Sequence, residues 1–286
     1  MSPKIKTRWL PLVTLVISST LIAEFLSGST PSSRISQLPL QFFMYGCGAV
    51  VVREIVRRRG LGWGSVIVLG FAYGLIEEGL VLQSMFNPDF LHLNISFGRA
   101  GGINWVWTEY LTGLHAFWSI SCSILLCEVI FAEGRERPWV GLPVLWICGV
   151  LYVLICLAMH GLFIKLFGYR APVGSSVGLA VVVALLIVFA LTLPKAGGEG
   201  AGGRFRVILP VTLAAGVCWF LGIYAIMSPH KPGLWIALCG GPVLAAVYFG
   251  LLRGWKPMRV RTDGQAGGCE RAVGRGSDPR LYGNGK

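Results

Sequence analysis

Long apolar runs alternate with short polar breaks along the whole chain. Runs lie at roughly 9 to 26, 38 to 55, 63 to 85, 105 to 131, 141 to 164, 173 to 193, 207 to 227 and 234 to 252, and the breaks collect Gly, Pro, Ser and charge. An α-helix needs about 20 apolar residues to cross a hydrocarbon core of roughly 30 Å. The pattern therefore predicts an all-α polytopic transmembrane helical bundle of about eight spans.

Composition agrees, with 54% hydrophobic and 13% charged residues, roughly half the charged share of an ordinary soluble domain. The lipid bilayer is the expected partner, and a multi-pass position in the cell membrane the expected location. A formal net charge of +12 would point to nucleic acid in a soluble chain, but the placement of the charges argues otherwise. An even number of crossings puts both termini on one side, and cytoplasmic loops carry the excess of Lys and Arg. With the N-terminus cytoplasmic, only Arg34, Arg99, Lys165, Arg170 and Lys231 of the 25 basic residues fall outside. Basic charge thus sets orientation, N-terminus and C-terminus both cytoplasmic, and no nucleic acid is expected; protein partners are left unspecified.

Residues 1–252 are read as the transmembrane helical domain and 253–286 as a basic, Gly-rich, disordered cytoplasmic tail. Trp9, Trp63, Trp105, Trp107, Trp139, Trp235 and Trp255 fall near run ends, where indoles favour the headgroup layer. Lys4, Lys6 and Arg8 ahead of the first run also resemble a secretory signal, with Ser27, Gly28 and Ser29 small enough for cleavage. Eight cysteines, mostly inside apolar runs and without metal-ligand spacing, read as small core residues.

The third run carries Glu77 and Glu78 side by side. An acid at a membrane helix centre costs about 2.5–3.5 kcal/mol even on mild scales, so both should face protein or water. At about 100° per residue they are expected to address different neighbours. In the fourth run Thr108, Thr112, His115, Ser119 and Cys122 recur at helical spacing as a polar stripe. Counting about 1.5 Å per residue from the run ends places His115 and Glu78 at a common depth of about 10–15 Å.

Glu77, Glu78 and His115 are accordingly the candidate catalytic residues. His115 with His160 is the candidate metal pair, a divalent metal being the cofactor such a set could hold. Glu109 adds an acid near the outer mouth of the fourth run, and His92 and His230 lie in outer loops. Glu24 and Glu128 are expected to reach headgroups or water, and Arg53 and Glu54 to snorkel at the inner interface beside Arg57, Arg58 and Arg59. The outer loop 87–104 has the turn signals Asn87-Pro88-Asp89 and Gly101-Gly102 and is placed to act as a lid, with Asn94-Ile95-Ser96 a glycosylation-type triplet.

The Glu77-Glu78 pair with histidines on later helices resembles the CAAX protease and bacteriocin-processing family of intramembrane enzymes. That family carries Glu-Glu-x-x-x-Arg, Phe-x-x-x-His and His-x-x-x-Asn or Asp. Leu82, Leu111 and Ile164 stand where it has Arg, Phe and Asn or Asp. The runs Glu77–Pro88, Asn104-Trp105-x-Trp107 and His115–Ile120 are also similar to a group of prokaryotic multi-pass membrane proteins without an assigned reaction. The resemblance to the enzymes implies an intramembrane hydrolase; buried acids alone fit a proton- or cation-coupled transporter or small-ligand binding protein equally, and a membrane scaffold is a third reading.

Overall fold

The computed structural model describes residues 7–30, 32–90, 97–195, 201–228, 230 and 233–254. His92, Lys231, the triplet 94–96, Trp255 and most of the tail read at 253–286 lie outside the described residues. Among the described residues eight helices follow one another: α1 Trp9–Phe25, α2 Leu38–Arg59, α3 Trp63–Val81, α4 Trp105–Ile130, α5 Leu142–Phe167, α6 Val173–Thr192, α7 Ala201–Met227 and α8 Leu234–Gly254. A short 3-10 turn, Ser32–Gln37, precedes α2. One two-stranded hairpin, β1 Arg99–Ala100 with β2 Ile103–Asn104, precedes α4. The fold is all-α, and helices occupy the eight apolar runs. By length and composition alone, α2 to α6 make 5 helices able to cross a membrane.

Local chemistry sets the helix ends. Gly60 and Gly168 take left-handed conformations just past α2 and α5, which glycine adopts without a Cβ penalty. Pro143 sits in the first turn of α5, where its missing N–H has no helical partner to lose. Asn104 caps α4 by accepting from the Trp107 N–H at 2.9 Å. The run expected to continue to 85 stops as a helix at Val81, because Gln83 turns the chain at φ 58°. Its amide oxygen accepts from the Ala171 N–H at 2.7 Å, tying that turn to the segment before α6.

Burial divides the helices. The apolar windows of α2, α3 and α4 are 67%, 67% and 78% buried, whereas those of α5 and α6 are 11% buried although they are the most apolar. A helix that is apolar all round and open to its surroundings fits lipid rather than water. Thus α2 to α4, joined by α1, form the interior, and α5 and α6 flank it.

Helices α3 and α4 approach each other closely. A Cβ on Gly70 would lie 2.8 Å from the Ala116 Cα, and one on Gly74 would lie 2.9 Å from the Thr112 Cα and 3.1 Å from the His115 Cβ. Gly70-x-x-x-Gly74 is therefore a small-residue face that lets two backbones touch, as membrane helices do without a hydrophobic drive between them.

At the end of the bundle holding Arg59 and Phe131, the expectation of snorkelling charges is corrected. Arg53 and Glu54 are 0% and 1% exposed. Glu128, expected to reach water, is 1% exposed and takes a two-pronged bond from Arg57 at 2.7 and 2.6 Å. The Arg53 guanidinium donates to Glu54 at 2.5 Å and to the Arg135 carbonyl at 2.7 Å, pairs with Glu128 at 3.2 Å and lies 3.2 Å over the Trp139 ring. Glu54 in turn accepts from the Trp139 and Val140 N–H groups. The segment 131–141 folds back over α2 and supplies these partners, so the charges are satisfied by protein rather than headgroups. Trp139, 1% exposed, belongs to this network and not to an interfacial belt.

Three outcomes follow. Gly74→Ala is expected to destabilise by about 1–3 kcal/mol through overpacking against α4. Gly149→Ala, where a Cβ meets nothing within 4 Å, should stay within about 0.5 kcal/mol of wild type; reversible unfolding in mixed micelles measures both. Glu128→Ala leaves Arg53 and Arg57 short of an anion and should cost about 3–5 kcal/mol in the same assay.

Candidate functional site

Each of the interior helices α1 to α4 widens from α to π geometry along part of its length. The π turns are Leu21–Phe25 in α1, Phe42–Gly46 in α2, Ile76–Val81 in α3 and His115–Cys122 in α4. They carry, in order, Glu24, Tyr45, the Glu77-Glu78 pair and His115. Single π turns inside α-helices recur at functional sites because they re-aim side chains and free backbone carbonyls.

Glu77, Glu78 and His115 come together. His115 Nε2 lies 3.1 Å from Glu78 Oε1, and His115 Nδ1 lies 3.4 Å from Glu77 Oε2. The two carboxylates, expected to address separate neighbours, thus flank one imidazole through its two nitrogens. The π turn and the close seam at Gly74 make this possible: the first alters the angle between successive side chains, and the second seats the His115 Cβ against α3. Only the outer oxygens diverge. Glu77 Oε1 accepts from the Tyr45 hydroxyl of α2 at 2.5 Å, and Glu78 Oε2 accepts from the Ser84 hydroxyl just past α3. All three residues are buried, with Glu77 2% and His115 4% exposed.

Hydrogen bookkeeping gives this row a direction. An indole N–H can only donate, and Trp107 Nε1 donates to Ser84 Oγ at 3.1 Å. Ser84 must then spend its single proton on Glu78. From the other side Tyr45 spends its proton on Glu77. The result is a row of donors pointing inward from Trp107 and Tyr45 onto two carboxylates, with His115 between them. Tyr45 also stacks on His115 with ring centroids 6.2 Å apart and planes 19° apart, and Tyr73 packs beside both. The Tyr73 hydroxyl, Glu77 Oε2 and His115 Nδ1 are buried without a hydrogen-bond partner.

His160 does not join them. Its Nδ1 donates to the Leu80 carbonyl at 2.7 Å, one of the carbonyls freed where α3 ends, with the Gln83 amide 3.2 Å away. The expected metal pair of His115 and His160 is therefore not brought to a shared point by these contacts. Among the described residues no group of three or more His, Cys, Asp and Glu is disposed to hold a metal ion. Both ring nitrogens of His115 already face carboxylates, which leaves neither turned toward a ligand position.

The remaining candidates scatter. The hydroxyls of Thr108 and Thr112 bond back to the Asn104 and Thr108 carbonyls at 2.7 Å each, so these two members of the polar stripe are satisfied within α4 itself. Glu109 packs instead against α8, its carboxylate occupying the space a Cβ on Gly241 would need. The described ends of the loop 87–104 are fastened: Arg99 donates to the Phe86 and Asn87 carbonyls, and the Asn104 N–H donates to the Met85 carbonyl.

Sequence reasoning missed Tyr45, Ser84, Trp107 and Glu24 as members of the site. Tyr45 and Ser84 carry no charge to flag them. Trp107 has the position of an interfacial indole, yet it is 5% exposed. Glu24 has the position of a headgroup-facing acid, yet it is 8% exposed and accepts from Thr30 at 2.6 Å. The Gly70-x-x-x-Gly74 spacing was the available signal that α3 and α4 would touch at this level.

The model of an uncharacterised membrane protein family matches residues 12–261. The chain belongs to this family. It is an integral membrane protein, as its apolar helices require. No curated protein and no solved structure matches the chain. Family membership agrees with the likeness to multi-pass membrane proteins of unassigned reaction and lends no support to the CAAX protease resemblance.

Ser84→Ala leaves the Trp107 N–H buried without an acceptor and should cost about 1–3 kcal/mol. Adding Trp107→Phe to that variant should then cost less than Trp107→Phe alone, because the orphaned donor is gone. A double-mutant cycle of unfolding free energies reads this, and additive losses would break the inferred bond.

Proposed function

We propose that this membrane protein binds and releases protons at a buried Glu77–His115–Glu78 core, coupled to the binding or movement of a small solute or cation. The observation that carries the reading is the placement of one imidazole between two carboxylates, 3.1 and 3.4 Å away, inside a bundle of apolar helices. Such a set is costly to bury with its charges unbalanced, so its protonation is tied to its surroundings. An imidazole and two carboxylates in such proximity take up and release protons as one coupled set, with Glu78 hydrogen-bonded to Nε2 and Glu77 beside Nδ1.

The orientation belongs to the same proposal. Lys and Arg gather in the loops on the Arg59 side, supporting cytoplasmic termini and about eight crossings, with the core in the outer half of the bundle and 253–286 a cytoplasmic tail. The buried Arg53–Glu54–Arg57–Glu128 network then closes the inner half. Such an arrangement supports access to the core from outside.

Intramembrane hydrolysis is the second reading, favoured by one observation. Glu77 Oε2, His115 Nδ1 and the Tyr73 hydroxyl are buried polar atoms without hydrogen-bond partners, and a carboxylate beside an imidazole can activate water. It predicts cleavage of membrane peptides that is lost in Glu77→Gln.

Proton binding by the purified protein in lipid nanodiscs tests the first reading. On acidification from about pH 8 to about pH 5, back-titration should show wild type taking up more protons than the Glu77→Gln, Glu78→Gln, His115→Gln triple variant. Equal uptake by the two folded proteins would overturn it.

A further inference from the structure

The Glu77–His115–Glu78 core does not end at Tyr45. One turn before Tyr45 on α2, Gln41 donates from its amide to the Thr30 hydroxyl at 2.9 Å, and Thr30 donates onward to Glu24 Oε2 at 2.6 Å. The Thr20 hydroxyl bonds the Gln41 carbonyl at 3.3 Å, fixing α1 against α2 at the same level. A second tie comes from α4, where Trp118, one turn past His115, donates its indole N–H to the Ile22 carbonyl at 2.8 Å. Hydrogen bonds from α2 and from α4 therefore converge on the π turn that carries Glu24. An acid read from sequence as reaching headgroups is folded against the site.

Glu24 differs from the core acids in its distance from the surface. Gly28 and Ser29, one turn farther along the chain, are exposed, while Glu24 is 8% and Glu77 2% exposed. The titratable groups within electrostatic reach of it are Tyr45 on α2, Glu77 on α3 and His115 on α4. Thr30 and Gln41 complete its polar surroundings, and the Ser27 hydroxyl bonds its backbone carbonyl. Tyr45 stands on the core side of Glu24, with its hydroxyl proton already directed at Glu77 Oε1. Gln41 Oε1, Glu77 Oε2 and His115 Nδ1 are buried polar atoms without hydrogen-bond partners along the same row.

We infer that Glu24 is a third acid of the site, through which protons pass between the segment joining α1 to α2 and the Glu77–His115–Glu78 core. The inference rests on the proton-binding reading of that core. The transfer balances when a water molecule takes the Glu24 proton and passes one of its own to Tyr45 as Tyr45 gives its hydroxyl proton to Glu77, leaving water and phenol unchanged and moving one proton inward. Thr30 acts as a positioning residue, holding the Glu24 carboxyl by Oε2.

Stopped-flow acidification of the nanodisc-embedded protein, followed with a soluble pH dye, separates the roles. Glu24→Gln is expected to slow the uptake phase that depends on Glu77 by about 10-fold or more, and Glu24→Asp to restore most of the rate. An unchanged rate in folded Glu24→Gln overturns the inference, as does Glu24→Asp as slow as Glu24→Gln. If Glu24→Gln does not fold, Thr30→Val frees Oε2 while keeping the acid. A slowed phase is then expected, and an unchanged one overturns the role of Glu24. Loss of the phase in Glu77→Gln with no effect at Glu24 removes Glu24 alone; persistence of the phase in Glu77→Gln removes the proton-binding reading itself.

Discussion

The contact on which the site depends is the close approach of α3 to α4. Gly70 and Gly74 offer no Cβ to hold the helices apart, so the Ala116 and Thr112 backbones sit where those side chains would be. That seam fixes the rotation of both helices, and Glu78 follows Gly74 by one turn on the same face. His115 is carried to the two acids by backbone packing rather than by charge attraction alone. In lipid this ordering matters, because close van der Waals packing of small residues provides helix association that apolar burial does not.

Around this seam the protein handles its two sets of buried charges differently. At the end near Arg59, Arg53, Arg57, Glu54 and Glu128 are closed by short contacts, backbone carbonyls and the Trp139 ring, an arrangement that holds the segment 131–141 in place. At the other end Glu77, Glu78 and His115 keep polar atoms without hydrogen-bond partners and lie on π turns, where helical hydrogen bonding is already relaxed. A dense set of ion pairs and backbone contacts, in which Arg53 Nε alone of the four residues' buried polar atoms lacks a hydrogen bond, suits a fixed scaffold. A partly satisfied row between tyrosine and serine donors suits exchange of a proton or a small polar ligand.

Much of this was legible in the sequence where a single physical rule dominates. Lipid thickness made the eight apolar runs visible, and the cost of charge in hydrocarbon singled out Glu77 and Glu78. Depth counting from run ends paired them with His115, because consecutive antiparallel helices share a ruler. What the sequence hid depends on chain paths. Arg53 and Glu128 look interfacial until the segment 131–141 folds over them. His160 looks like a ligand until α3 stops at Val81 and leaves the Leu80 carbonyl for it. Trp107 and Glu24 look like belt and headgroup residues and Tyr45 carries no charge to flag it, since the π turns that aim Tyr45 and Glu24 inward have no spacing signature, and neither does the turn at Gln83 that brings Ser84 to Trp107.

The central claim is that both carboxylates hold one imidazole. Solid-state NMR on lipid-embedded protein with 15N-labelled histidine rings and 13C-labelled glutamate carboxyls measures this through N–C dipolar dephasing. With ring nitrogens 3.1 and 3.4 Å from carboxylate oxygens, both His115 nitrogens should dephase strongly. Glu78→Gln should abolish the effect at Nε2 and Glu77→Gln the effect at Nδ1. Dephasing of neither nitrogen, or dephasing that survives both substitutions, would contradict the account.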